Sequence, residues 1–180
     1  MNFRTLVELP EKEVKIGHSE RIMLWGSCFV ENIGRRMTEN KFRCNVNPLG
    51  ILYNPVSIAS SLQQVLEGKV YGETDLFQAS GMWHSWMHHS DFSASTSEEC
   101  LKRINDGIST VAESLSHTDW LVVTWGTAYV YTLRQTGTVV GNCHKQPDKL
   151  FSRRKLNVAE IVEAWKQLIT DLRSLNPHLK

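Results

Sequence analysis

Apolar residues recur along this chain in two rhythms, and the places where one gives way to the other outline its elements. Arg21-Ile22-Met23-Leu24-Trp25 is a short apolar run bounded upstream by Gly17-His18-Ser19-Glu20, and it reads as a buried strand. Phe29, Ile33 and Met37 then follow at helical spacing, with Glu31 in an opening turn, which predicts a helix over 28–39. Phe42 to Val46 reads as a second strand, entering an Asn47-Pro48-Leu49-Gly50 turn. Asn54 caps a helix with Pro55 at its first position and Ile58, Leu62, Val65 and Leu66 on its buried face; Gly68 ends it. Residues 69–95, rich in Ser, Gly, His and aromatics, read as a long loop. Thr96 and Glu99 have capping-box spacing ahead of a helix faced by Leu101, Ile104, Ile108, Val111 and Leu115. Trp120 to Trp125 is the clearest buried strand, and Tyr129 to Leu133 with Thr138 to Val140 flank Gln135-Thr136-Gly137 as an inserted β-hairpin. Asn157 and Glu160 open a last helix striped by Ile161, Trp165, Leu168 and Leu172, and Asn176-Pro177 stops it. The first twenty residues mix charge with Leu6, Leu9, Val14 and Ile16 and read as an irregular or edge segment.

Strands that alternate with helices predict an α/β domain with a mostly parallel sheet. At 180 residues the chain has room for one such domain, 1–180, with a real core. A net charge of +1 gives no global pull toward nucleic acid or anionic membrane, and Arg35-Arg36 and Arg153-Arg154-Lys155 read as solvated faces. No apolar run reaches membrane-spanning length and no signal-peptide order opens the chain. Cys28, Cys44, Cys100 and Cys143 are scattered without Cys-x-x-Cys spacing, so a reduced, cytoplasmic setting is expected. After Pro177 the alternation calls for a strand from about Leu179, so the chain is expected to be a domain cut at a strand boundary, incomplete at its C-terminal end.

Gly26 and Ser27 fall where the first strand hands over to the first helix. A hydroxyl there lies among unpaired N–H groups and near a partial positive charge of about half a unit, a setting for a nucleophile and its oxyanion. Equally, a serine in that place caps a helix. If the sheet is parallel, the ends of strands 21–25, 42–46 and 120–125 converge on one rim, where ligands collect in folds of this kind.

Further blocks carry a resemblance. Gly26-Ser27-Cys28-Phe29-Val30 nearly spells the signature of the GSCFA family, with Val30 in place of the final alanine. Asn47 to Pro55, Trp125-Gly126-Thr127-Ala128 and Gly141-Asn142-Cys143-His144-Lys145 resemble the family's other blocks in the same order. The family is similar to the SGNH/GDSL hydrolases, which implies a flavodoxin-like three-layer α/β/α sandwich and esterase or acyl-hydrolase chemistry. By matching position, Ser27 resembles the nucleophile, with its own N–H as one oxyanion donor and Gly50 as the second. Similar hydrolases hold an asparagine two residues after the third block's glycine; here that residue is Ala128, leaving Thr127 or Asn142 to substitute. The resemblance sets the base in an Asp-x-x-His past Lys180. His89, in a His-Ser-Asp-Phe stretch that also resembles the family, is expected to line the pocket with Trp25, Asn54, Gly126, His144 and Lys145.

His84 and His88 have the spacing of a helical zinc pair, but Ser85 stands where a zinc hydrolase places its glutamate, so no metal and no cofactor is expected. Cys28 is expected to pack inward as a small hydrophobe. Lys145 with Arg153 and Arg154 forms either a cationic rim for an anionic substrate or a solvated face. Two functions compete. One is a serine hydrolase or acyltransferase acting on an ester-bearing small molecule or acylated carbohydrate. The other is a binding module that recognises an acyl or sugar ligand without turnover, with Trp25, Trp83 and Trp86 as aromatic surface and Trp120 and Trp125 assigned to the core. A third, that Ser27 only caps its helix, stands beside them.

Overall fold

The computed structural model describes residues 15–180. The expectation for residues 1–14 lies outside them. Strand β1 (Arg21–Trp25) is central in a three-stranded parallel sheet, with β2 (Arg43–Val46) on one side and β5 (Trp120–Val123) on the other. The pairing runs Ile22 to Cys44 and Ile22 to Trp120. Lys180 donates its N–H to the Asp119 carbonyl at 3.0 Å and accepts from the Leu121 N–H at 3.0 Å. These bonds bracket Trp120 as a parallel neighbour's do.

The period-2 alternation of β1 decides what lies on each face of this sheet. Met23 and Trp25 point into the larger core, among Ile58, Leu62 and Val65 of α2 (Pro55–Leu66), Ile104, Ile108 and Leu115 of α3 (Ser97–Leu115), and Leu168 and Leu172 of α4 (Val158–Leu175). Ile22 and Leu24 point the other way, onto Val30 and Met37 of α1 (Cys28–Glu39). Helices thus cover both faces of the sheet. Among the described residues there are four α-helices, and none is long and apolar enough to cross a membrane. The last helix carries the full capping box: Asn157 Oδ1 accepts from the Glu160 N–H, and Glu160 accepts from the Asn157 N–H. Its Trp165 donates through Nε1 to the Pro55 carbonyl at 3.2 Å, tying α4 to the start of α2.

Residues 69–95 are not simply a loop. They contain an antiparallel hairpin, β3 (Leu76–Ala79) with β4 (Met82–Ser85), and Ser80 and Gly81 turn it with φ of 50° and 74°. Two consecutive left-handed residues suit the twist of a two-residue hairpin loop. The expected hairpin of β6 (Tyr129–Leu133) and β7 (Val139–Val140) is joined by β8 (Phe151–Lys155), making an antiparallel three-stranded sheet in the order β7-β6-β8. Arg153, expected on a solvated face, lies over the Tyr129 ring at 3.9 Å.

Candidate active site

The turn from β1 into α1 is built around Gly26. Its φ is +151°, and a β-carbon there would overlap the Thr124 carbonyl and hydroxyl at the end of β5. Its N–H donates to Asn47 Oδ1 at 2.9 Å, and its carbonyl accepts from the Leu52 N–H at 3.2 Å. The loop after β2 is therefore laced to the residue just before Ser27.

Ser27 is the N-cap of α1, with extended backbone, and its Oγ accepts from the Phe29 N–H at 3.3 Å. The residue is 8 % exposed, so it is neither sealed nor free-standing. Among the described residues no acceptor takes the N–H of Ser27 or of Cys28. Both belong to the first turn of a helix of 12 residues, where unpaired N–H groups and the helix dipole favour negative charge. Cys28, expected to pack inward, is exposed, because its position on α1 faces away from the sheet.

The loop after β5 closes the other side. Gly126 and Thr127 both donate their N–H to the Tyr53 carbonyl, at 2.8 and 3.1 Å. A β-carbon on Gly126 would stand 3.3 Å from Ser27 Cβ and 3.7 Å from Ser27 Oγ. The residues after three parallel strand ends are thus tied together: Gly26-Ser27, the 47–54 loop and 126–127. Tyr53, Trp125 and Phe29 are exposed around this place.

Other expected site residues fall differently. Trp25 is 1 % exposed and packs in the larger core, because it shares the face of Met23. Trp125, assigned to the core by its place in an apolar run, is 51 % exposed, because β5 ends at Val123 and the chain has turned outward. Trp120 is only partly buried, and its Nε1 donates to Glu20 at 2.8 Å. Gly50 has φ of +89°, and its missing side chain is filled by the β-carbon of His89. Its N–H donates to the Asn47 carbonyl at 2.7 Å, so that amide is already committed. Asn54 is the buried N-cap of α2, with Oδ1 2.8 Å from the Ser57 N–H. Thr127 Oγ1 accepts from the Tyr129 N–H at 3.1 Å.

His89 brings a partner that the sequence reading did not weigh. Its Nδ1 lies 3.0 Å from Asp91 Oδ2 and 3.5 Å from the Asp91 N–H. A proton on Nδ1 donates to the carboxylate, whereas a bare Nδ1 accepts from the Asp91 N–H. Asn142, His144 and Lys145 gather elsewhere, against the β4 end. Asn142 donates its N–H to the Trp86 carbonyl and accepts from the His144 N–H; His144 Nε2 meets the Ser85 carbonyl at 2.8 Å. His144 lies tilted against His84 with ring centroids 4.7 Å apart, and burial pushes its pKa down. Among the described residues no three His, Cys, Asp or Glu side chains form a metal-holding group.

Asn47 and Thr124 were also missed as site residues. Asn47 Nδ2, Thr124 Oγ1 and Trp25 Nε1 are buried without a protein partner among the described residues. The first two flank Gly26. Asn-Pro-Leu-Gly reads as turn chemistry alone in sequence, so the bond from Asn47 across to the serine turn had no local signal.

A serine at a strand-to-helix turn, on the carboxyl rim of a parallel sheet covered by helices, defines an α/β protein of loosely hydrolase-like build. The chain belongs to the GSCFA family, whose model matches residues 21–180. No curated protein and no solved structure matches it.

Proposed function

We propose that this chain carries the nucleophile of an SGNH-type serine hydrolase, an esterase, acyl hydrolase or acyltransferase on a flavodoxin-like framework, acting when full length on an ester-bearing small molecule or acylated carbohydrate. The observation that carries the reading is Ser27 at the N-terminus of α1, with the N–H groups of Ser27 and Cys28 unengaged and side-chain-free Gly126 leaving open a place where a β-carbon would stand 3.7 Å from its oxygen. Ser27 Oγ attacks the acyl carbonyl carbon, and the carbonyl electron pair moves onto oxygen as the two N–H groups stabilise it. The hydroxyl proton passes to an imidazole and then to the departing alcohol; water, or an acceptor alcohol, releases the acyl group. The resemblance sets that imidazole in an Asp-x-x-His past Lys180; His89, packed on the Gly50 turn with its Nδ1 against Asp91, is expected to line the pocket. The four unpaired cysteines support a reducing, cytoplasmic setting.

The test is hydrolysis of short-chain p-nitrophenyl esters by the full-length protein. Ser27→Ala is expected to abolish turnover while the fold, read by circular dichroism, is kept; equal turnover removes Ser27 from the chemistry. His89→Gln is expected to raise KM more than it lowers kcat, as a pocket-lining residue should, and unchanged kinetics remove it from the pocket. The exposed ring of Phe29, Tyr53 and Trp125, together with Ala128 in the place of a polar donor, favours a second reading: an acyl- or sugar-binding module without turnover. Saturable ligand binding with no Ser27-dependent hydrolysis selects it.

A further inference from the structure

We propose that the cleft of about 700 Å³ between α2 and the two accessory β-sheets binds an anionic oligosaccharide of the uronic-acid kind. Its size is that of a small-molecule site, and neither Ser27 nor Gly126 lines it. The proposal therefore does not rest on chemistry at the serine. The cleft follows from how the accessory sheets attach. The Trp86 carbonyl clamps the N–H groups of Gly141 and Asn142, and Ser57 Oγ donates to the Val140 carbonyl at 3.3 Å. The β7-β6-β8 sheet is so pinned to α2 and the two sheets to each other, and the space between their tips stays open.

Charge on the walls selects an anion. Lys69, Arg134 and Lys149 line the cleft against the single carboxylate of Asp75. Lys69 is paired with Asp75 at 3.3 Å, whereas Arg134 and Lys149 have no carboxylate partner among the described residues. A ligand carboxylate supplies what these two cations lack.

Neutral groups on the same walls select a sugar. Ser60 on α2 and Thr136 and Thr138 on the β6–β7 turn line the cleft with hydroxyls, while Gln64 is held by Ser60 and Tyr71; several short hydroxyls suit a sugar rather than one acyl chain. Trp86 supplies a flat apolar face, set in place by Phe77 stacked at 3.6 Å and Phe151 edge-on at 5.6 Å. Because Trp86 and Phe77 are closed on each other, no planar base can enter between them. The N-terminus of α2, where a phosphate would be held, is capped by Asn54. A nucleotide is disfavoured on both counts.

The experiment is calorimetric titration of the whole chain with trigalacturonate, maltotriose and AMP. Trigalacturonate is expected to bind saturably, about tenfold tighter than neutral maltotriose, and to weaken as salt rises. Arg134→Glu with Lys149→Glu is expected to weaken it by at least about tenfold with the melting temperature kept, since both side chains are exposed. Ser27→Ala is expected to bind as the parent does, which separates this site from the hydrolase reading. Equal affinity for maltotriose, indifference to the charge reversal, preference for AMP, or no saturable binding at millimolar trigalacturonate overturns the proposal.

Discussion

Gly126→Ala separates access to Ser27 from the stability of the fold. The glycine is exposed while Ser27 is 8 % exposed, so residue 126 marks the open side of the serine. An alanine β-carbon would lie 3.3 Å from Ser27 Cβ, 3.4 Å from Tyr53 Cδ1 and 3.7 Å from Ser27 Oγ. Gly126 is not among the glycines with positive φ, so alanine adopts its backbone without strain. The two shorter contacts ask neighbours to yield by a few tenths of an ångström. Against that cost stands a gain of about 0.4–1 kcal/mol from the stiffer unfolded chain, so net stability should move by less than about 1 kcal/mol. Attack requires the carbonyl carbon at about 3–3.5 Å from Oγ, in the space the methyl now borders. A displacement of about 1 Å costs on the order of 100-fold, or about 2.7 kcal/mol of barrier. The assay pairs urea unfolding with kcat/KM of the full-length protein on p-nitrophenyl acetate. Unchanged kcat/KM in a folded variant would refute the assignment of this side as the approach to the serine; a loss explained by unfolding would refute the packing argument.

Two further outcomes follow from the same geometry. His88 is 1 % exposed, and burial, with smaller contributions from Lys69 and His144, lowers its pKa from 6.5 to about 4. Between those values the unfolded chain binds more protons, so the stability His88 contributes is present above about pH 6.5 and is lost as pH falls toward 4. The loss is about 2 kcal/mol by pH 5 and about 3 kcal/mol by pH 4. Urea unfolding near neutrality and at about pH 5 should show His88→Gln losing that part of the slope, and identical slopes contradict it. Gly50→Ala should destabilise the chain by roughly 1–3 kcal/mol, because residue 50 sits at φ +89° against the His89 β-carbon; an unchanged melting temperature counts against that packing.

Much of the main framework was legible because burial and period agree there. The run from Ile22 to Trp25 can be satisfied only between two helical layers, and the Asn157–Glu160 pair announces its helix by a reciprocal pair of bonds. The accessory sheets were harder. Leu76-Phe77-Gln78-Ala79 and Met82-Trp83-His84-Ser85 show no clean alternation because both faces are partly covered, and only Ser80-Gly81 carried a turn signal. Phe151-Ser152-Arg153-Arg154-Lys155 hid a strand behind its charge; pairing with β6 and the Tyr129 ring holds it. Around the serine, the backbone turn was readable but the exchange between Trp25 and Trp125 was not. A strand's last side chain follows its alternation inward, and two residues past a strand's end the chain is free to turn out. The Asp91 contact of His89 and the reach of Asn47 to Gly26 are set by tertiary geometry, which spacing does not encode.

Covalent labelling tests the central claim most directly. The full-length protein is incubated with a fluorophosphonate, digested, and the modified residue is located by tandem mass spectrometry. One adduct on Ser27 Oγ is expected, lost in Ser27→Ala and slowed in Gly126→Ala. A Ser27 that stays unmodified while an ordinary serine hydrolase in the same tube is fully labelled, or an adduct that persists in Ser27→Ala, contradicts the account.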